Sequence, residues 1–361
     1  MKKILFIAAH RLDRSPSQRY RFEQYFSYFR EQGWICDLSP LISAEDDQFF
    51  YKPGNFFRKI GVLVRSIQTR LRDVKNADNY DIVFIQREAF MLGSVYFEKQ
   101  LSMSKAKIVF DFDDAIWHMD VSEGNKKFKF LKDPSKTGRI IALSDIVFAG
   151  NRYLADYAKQ VNTNVVIIPT TIDTNKHCRR KPYEASDKIC IGWSGSNTTI
   201  KHFEYAINFL KRIKEKYGDK VYFKVMGEPA YKNPELGIQG IPWTSDTEVE
   251  VLSSFDIGIM PLPDDEWAKG KCGLKGLSYM ALEIPTILSP VGVNTEIIED
   301  GVNGFLATSD EEWVEKLSLL IESEALRREL GKKARKTIVD RYSVESQKDV
   351  YIKYFKQLTG K

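Results

Sequence analysis

The sequence predicts an α/β protein of two Rossmann-like, doubly wound domains that face each other across a cleft. Three observations predict this. The chain has 361 residues, against ~100–200 for an ordinary domain. Short apolar runs bounded by turn residues read as buried strands, and they alternate with longer periodic segments that read as helices. The alternation stops at His177–Lys188, where Arg179, Arg180, Lys181 and Pro182 sit without apolar periodicity, and then restarts. Such alternation means a parallel sheet with helices on both faces. The expected division is a first domain over 1–182, a second over 183–342, and a last helix over 343–361 that crosses back to the first domain.

In the first half the strand candidates are Lys3–Ala8, Ile35–Ser39, Asp81–Ile85, Lys107–Phe110, Asp145–Ala149 and Val165–Ile168. Helical patterns lie between them, at Gln18–Gln32, Phe56–Val74, Ser94–Ser104 and Arg152–Val161. In the second half the strands are Ile189–Trp193, Val221–Val225, Ile238–Ile241, Ile257–Met260, Thr286–Leu288 and Gly304–Leu306. The helices there are Thr199–Tyr217, Glu248–Ser253, Leu274–Leu282 and Glu311–Glu322. The tail Ala325–Gln357 is helical and amphipathic, with a break at Tyr342–Ser343 where Ser343 caps the last helix. In open α/β sheets ligands bind outside the carboxyl ends of the strands, so the cleft is the expected site.

Composition removes several classes. The net charge of +5 is too mild to argue for nucleic acid. Cys36, Cys178, Cys190 and Cys272 form no CxxC pair and no His stands at ligand spacing from them. That spacing fits neither a zinc site nor a disulfide framework and points to reduced thiols in the cytoplasm. The apolar run Ile4–Ala9 is too short for a signal peptide and is followed at once by His10, Arg11, Asp13 and Arg14. No stretch approaches the ~20 apolar residues of a membrane-spanning helix.

Five segments can carry chemistry. The loop His10–Arg21 follows the first strand and enters a helix, with Ser15, Ser17, Arg19 and Arg21 near the helix start. A helix N-terminus with arginines favours phosphate; an ordinary capped helix with surface arginines gives the same pattern. The loop Gly192–Thr199, GWSGSNTT, is a second strand–helix junction made of small residues, though it lacks the GxGxxG pattern and the P-loop lysine. Lys269–Thr286 is the most specific: a loop with Gly270, Lys271, Gly273 and Lys275 enters an apolar, small-residue helix, and the helix dipole and the lysines both favour a diphosphate. Phe110–His118 places Asp111, Asp113 and Asp114 at a strand end, where carboxylates bind a ligand, take a proton or cap a helix. Finally, Phe56–Arg72 repeats apolar residues at helical spacing among Arg and Lys. Such a helix lies on an anionic membrane, or packs on the sheet with a solvated basic face.

Lys271–Ala307, KCGLKGLSYMALEIPTILSPVGVNTEIIEDGVNGFLA, resembles the donor-binding region of family 4 glycosyltransferases with the GT-B fold. Gly192–Ser196 looks like their phosphate loop, Val166–Asp173 like the end of their first domain, and Ile241–Leu262 like the segment framing the nucleobase. The resemblance implies retaining transfer of a sugar from a nucleotide donor to a glycan or lipid-linked acceptor, without a metal, in bacterial surface polysaccharide assembly. It makes the first domain the acceptor domain and the second the nucleotide-sugar domain. It implies that Gly195, Ser196, Lys271 and Lys275 meet the diphosphate, that Trp243 and Thr244 lie near the base, and that Ser278 lies near the ribose. Ser17, Arg19 and Arg21 would add to donor binding, Lys275 would stabilise the leaving group, and Asp113 or Asp114 would orient or deprotonate the acceptor hydroxyl. The enzyme is expected to be cytoplasmic, peripheral on the membrane through Phe56–Arg72.

The chain departs from the family pattern. Two glutamates eight residues apart are replaced by Gly270 and Ser278, as in a subgroup with a KCG-type segment, and Glu283 stands where the family has glycine. Three other readings stay open. A non-catalytic sugar-nucleotide-binding protein fits the missing glutamates. Ile108–Asp114, IVFDFDD, also resembles the strand-DxD motif of magnesium-dependent phosphohydrolases, with Asp111 as nucleophile and Asp113 as acid. A nicotinamide oxidoreductase fits the alternation but not the absence of GxGxxG after either opening strand.

Overall fold

The computed structural model describes residues 2–52, 54–118, 133–179 and 187–360. The chain divides into two compact units, Met1–Thr170 with Gln347–Lys361, and Thr171–Ser346.

The first unit runs β1 (Lys2–His10), α1 (Pro16–Arg21), α2 (Phe26–Glu31), β2 (Trp34–Ile42), α3 (Ala44–Phe50), α4 (Phe56–Asn76), β3 (Ile82–Gln86), α5 (Tyr96–Ser102), β4 (Lys107–Phe112), α6 (Lys136–Ala142), β5 (Ile146–Ala149), α7 (Arg152–Lys159) and β6 (Val165–Ile167). Its strands form one parallel sheet in the order β2-β1-β3-β4-β5-β6. Parallel strands are covered on both faces, and every residue of β3 is buried. Phe6 and Phe84 stand in register on neighbouring strands, ring centres 5.0 Å apart. Phe22, Phe26 and Phe29 close over them.

The second unit runs β7 (Ile189–Ser194), α8 (Ile200–Phe203), α9 (Ile207–Tyr217), β8 (Val221–Met226), β9 (Lys232–Asn233), β10 (Ile238–Gln239), α10 (Glu248–Ser253), β11 (Ile257–Met260), α11 (Glu266–Lys269), α12 (Leu274–Ala281), β12 (Thr286–Leu288), α13 (Asn294–Ile297), β13 (Phe305–Leu306), α14 (Asp310–Glu322) and α15 (Glu324–Arg341), and leads into α16 (Val344–Leu358). Its main sheet is also parallel, ordered β13-β12-β11-β7-β8. Along β7, Ile189, Ile191 and Trp193 join the core cluster under α9 and α14, while Cys190 joins the opposite cluster with Phe255 and Tyr279. This is the two-residue alternation of a strand buried on both faces.

Several expectations are corrected. Ile238–Ile241 is a sheet strand only at its end: Ile238–Gln239 pairs antiparallel with Lys232–Asn233 in a two-stranded ribbon, and Ile241 alone bridges in parallel to Met226 of β8. The long first helix breaks at Phe22, whose φ of −142° leaves the helical region. Two seven-residue helices, α3 and α6, were not anticipated. The domain boundary expected after residue 182 lies outside the described residues. The units part earlier, at Thr170–Thr171, because Ile172 bridges to Ser343 and Arg335 donates to the carbonyl oxygens of Thr174 and His177. Ser343 does cap α16, its Oγ accepting from the Ser346 amide at 3.0 Å. From Gln347 on, α16 belongs to the first unit: Tyr351 and Phe355 stack on Tyr25, Phe29 and Phe148, and the Tyr351 hydroxyl donates to the Arg21 carbonyl at 2.6 Å.

Helix α4 is the largest surprise. Its buried residues are Lys59, Val62, Ser66, Arg70 and Asp73, at the i, i+3, i+4 spacing of one face. Four of the five are polar. Arg70, wholly buried, donates to the carbonyl oxygens of Ala8 and Ser39 and to Asp73 at 2.7–3.1 Å. Buried charge is tolerated when paired and hydrogen-bonded in this way. Most apolar residues of α4, among them Phe57, Ile60, Val64, Ile67 and Leu71, point outward instead.

Candidate functional site

In the second unit the strand order reverses its direction of growth beside β7, between β7 and β11. That is the switch point at which α/β sheets bind ligands. The chain leaves the carboxyl end of β7 through Gly195–Thr199, and it leaves β11 through the segment that carries Lys271 and enters α12.

Gly195 has no room for a side chain: a Cβ would stand 2.0 Å from the Trp193 ring and 2.7 Å from Thr199 Oγ1. Gly227, at φ +108°, packs its backbone against the Gly195 carbonyl, so both glycines are required by this close approach. The Ser196 amide donates to Thr199 Oγ1 at 2.9 Å and the Asn197 side chain to Glu228 at 2.7 Å, which fixes the loop. The helix α12 begins at Gly273, whose φ of +72° is left-handed and whose position has no side-chain cap.

Two lysines converge there. Lys275 Nζ lies 5.4 Å above the Trp193 ring and Lys271 Nζ 4.5 Å above the Trp267 ring. Between the two loops sits His202, 3% exposed. Burial, reinforced by Lys275 and Lys271, pushes its pKa down to about 4. Neutral His202 leaves the charge of the two ammonium groups uncancelled beside a helix start, an arrangement that favours phosphate. His202 Nδ1 and Trp193 Nε1 are buried without a hydrogen-bond partner.

Tyr279 holds the two halves together, and sequence reasoning missed it. Its hydroxyl accepts from the Ser194 amide at 2.7 Å and shares a 2.9 Å hydrogen bond with Ser194 Oγ. It ties α12 to the carboxyl end of β7. Its ring fills the space left by Gly258, where a Cβ would stand 2.4 Å away. Gly258 and Tyr279 stand far apart in sequence, so only the fold pairs them.

In the first unit the switch point lies between β1 and β3. Ser17 Oγ donates to Asp113 Oδ1 at 2.8 Å and accepts from Gln86 Nε2 at 2.7 Å. Arg87 Nε donates to the same Asp113 oxygen at 2.8 Å, and its NH2 reaches Asp114 at 3.4 Å. Burial works to raise the Asp113 pKa, but Arg87 and Ser17 outweigh it and hold it below the usual value. Asp113 is thus an ionised, weakly basic group suited to orienting a hydroxyl. Arg87 has φ +62°, which is costly for a residue with a side chain and marks a functional constraint. Gln86 and Arg87 were also missed, although Gln86 ends the strand β3 and Arg87 follows it directly.

The first loop is not the anion site that its arginines suggest. Arg21 is fully buried and binds the Asp111 carboxylate through Nε at 3.1 and 3.2 Å, with the Ile168 carbonyl on NH1. Arg19 pairs with Asp13 at 3.7 Å, and α1 is only six residues long. Asp111, held by Arg21 and wholly buried, is not available as a phosphohydrolase nucleophile. Ser278 is corrected too: 4% exposed, it donates back to the Leu274 carbonyl at 2.9 Å within α12, so it does not present its hydroxyl to a ribose. Trp243 packs, half-buried, against the cluster of Phe255 and Tyr279, and Thr244 is exposed with its Oγ1 2.7 Å from that of Thr247. Among the described residues no group of three or more His, Cys, Asp or Glu side chains is arranged to hold a metal ion, and none of the helices is long and apolar enough to cross a membrane.

Residues 188–323 match the family model described as "Glycosyl transferases group 1". No curated protein matches the chain in sequence. Among solved structures, a glycosyltransferase from Rickettsia africae is 13% identical, with a TM-score of 0.69 over 99% of this chain and 98% of that one. The sucrose-phosphate synthase of Thermosynechococcus elongatus is 12% identical, with a TM-score of 0.71 over 100% of both chains. HepE of Anabaena, in complex with UDP-glucose, is 13% identical, with a TM-score of 0.69 over 99% of this chain and 100% of that one. These likenesses establish the two-domain GT-B fold.

Proposed function

We propose that this chain, a glycosyltransferase carrying a group 1 domain in its second unit, moves a glycosyl group from a nucleoside diphosphate sugar to a glycan or lipid-linked hydroxyl, with retention. One observation carries the donor reading: Lys271, Lys275 and the Gly195 loop meet at the switch point of the second sheet, inside the matched residues. Negative charge grows on the departing diphosphate as the glycosidic bond breaks. Fixed ammonium groups and a helix start placed where that charge develops stabilise the transition state more than the ground state. In this reading the lysines supply the positive charge that a metal supplies in other transferases. Asp113, tethered by Ser17 and Arg87, orients the acceptor hydroxyl, and Asp114 assists. Assembly of a surface polysaccharide is the process such an acceptor suits.

A thermal-shift series with UDP, GDP, ADP and CMP, with and without Mg²⁺, tests the reading. A ligand at 100 times its Kd stabilises by about 2.7 kcal/mol. The expected result is a shift with one nucleoside diphosphate, independent of Mg²⁺ and reduced by Lys271→Ala. HepE was solved with UDP-glucose, which makes UDP the first ligand to try. No shift with any nucleotide would remove the lysines from the donor site.

A further inference from the structure

We infer that α4 docks the first unit onto an anionic membrane surface, with its outward apolar stripe in the interface and its arginines on the headgroups. The inference goes beyond the transfer reaction and stands on α4 alone.

The helix is amphipathic in the sense opposite to that of a helix packed on a sheet. A covering helix buries its apolar stripe. Here Phe56, Phe57, Ile60, Val64, Ile67 and Leu71 are 37–85% exposed, Phe57 the most. At about 100° per residue these six positions fall within roughly 100° of arc. The side facing the sheet is given instead to Lys59, Ser66, Arg70 and Asp73. Singly exposed apolar residues are ordinary, but a contiguous stripe along about four turns marks an interaction surface.

Charge identifies the occupant. Arg58, Arg65 and Arg72 recur every seven residues beside the stripe, and Lys75 extends it. Asp73 is the one acidic residue of the helix and it is buried against Arg70. Arg65 reaches Asp46 and Arg58 lies over the Phe49 ring, which holds both beside the stripe. An apolar arc bordered by arginines and lacking exposed carboxylate complements anionic lipid headgroups.

Placement gives the docking a consequence. Arg70 binds the carbonyl oxygens of Ala8 and Ser39, near the carboxyl ends of β1 and β2. Phe56 and Phe57 lie about 20 Å further back along the helix, at 1.5 Å per residue. They therefore reach past the edge of the sheet that carries Ser17, Arg87 and Asp113. A bilayer on α4 sits at the acceptor end of the unit.

The test is flotation of the full chain with phosphatidylcholine vesicles, with or without a quarter phosphatidylglycerol. The wild type should float with the anionic vesicles and be released by high salt. The exposed triple variant Phe57→Ser/Ile60→Ser/Val64→Ser should bind at least tenfold more weakly. Arg58→Gln/Arg72→Gln should cost about fivefold per arginine on anionic vesicles alone. Both variants should keep the wild-type melting temperature and nucleotide shift, so loss of membrane binding is read separately from loss of donor binding. Wild type that stays with the soluble fraction at low salt, or a triple variant that floats as well as the wild type, overturns the inference. A concentration-dependent dimer abolished by the triple variant, without flotation, also overturns it and assigns the stripe to a second copy of the chain.

Discussion

Replacing Tyr279 by Phe removes one oxygen atom and nothing else from the junction between α12 and the carboxyl end of β7. Both Tyr279 and Ser194 are buried, at 0% and 9% exposure. Burial pushes the phenol pKa well above its ordinary value, so the hydroxyl stays protonated, accepts from the Ser194 amide and donates to Ser194 Oγ. Phenylalanine keeps the ring in the space opened by Gly258 and takes the hydroxyl away from both the Ser194 amide and Ser194 Oγ. A buried donor stripped of its acceptor costs about 1–3 kcal/mol. For a unit of this size, Thr171–Ser346, about 2 kcal/mol lowers the melting temperature by roughly 4–8 °C. Tryptophan fluorescence is the suitable probe, because Trp193, Trp243, Trp267 and Trp313 all lie in this unit. The nucleotide-induced shift should shrink as well, since the tie between α12 and β7 sets the distance between the lysines and the Gly195 loop. A melting change under about 1 °C with an unaltered nucleotide shift would refute the reasoning, and Ser194→Ala, which keeps the amide bond, should lose no more than about half as much.

Three further outcomes follow from the same geometry. Lys275→Ala should lower kcat/KM by about 2–4 kcal/mol of transition-state stabilisation, or some 30- to 1,000-fold; a loss under threefold in a donor-turnover assay takes Lys275 out of the reaction. Glu283 has φ +58° just beyond α12, and its contact with Arg335 is long, at 3.8 Å, and partly exposed. Glu283→Gly should therefore raise stability by about 0.5–1 kcal/mol, as relief of left-handed strain exceeds the flexibility added to the unfolded chain; a lower melting temperature would show that the strain is absent. The folded pKa of His202 is about 4, below the ~6.5 of an unfolded histidine. Between those values the unfolded chain binds a proton that the folded chain refuses. Its contribution is complete above pH 6.5 and falls with decreasing pH by about 1.4 kcal/mol per unit until about pH 4. Urea unfolding of His202→Gln across that range should show a flatter slope than the wild type; His10, which burial and Arg14 also hold near 4, adds a slope of the same sign, and Glu23, which burial raises to about 7, opposes it.

The strands were legible because a strand buried on both faces is a continuous apolar run, and Ile82–Gln86 or Ile257–Met260 leave no second choice. Ile238–Ile241, with Gln239 and Gly240 between its isoleucines, is no such run, and it splits between a two-residue ribbon and a single bridge from Ile241 to Met226. The loop and helix start that carry Lys271 and Lys275 were legible because they are consecutive in sequence. Arg21 was misread because charge without context looks like a phosphate ligand, and its partner Asp111 lies 90 positions away. Tyr279, Gln86 and Arg87 act through residues distant in sequence, so no local pattern announces them. In α4 the periodicity was legible but left two directions open: which face turns inward is set by Ser39 and the carbonyl oxygens that Arg70 must satisfy.

The seat of α16 in the first unit has a consequence for biosynthesis. Tyr351 and Phe355 complete the aromatic core around Phe29 and Phe148, but the ribosome adds them only after all of Thr171–Ser346. The second unit, continuous in sequence, can fold while the first still lacks a wall of its interior. The nascent first unit exposes that apolar gap until the last helix emerges, a window in which chaperones have something to hold. Order of synthesis and order of completion thus run in opposite directions along this chain.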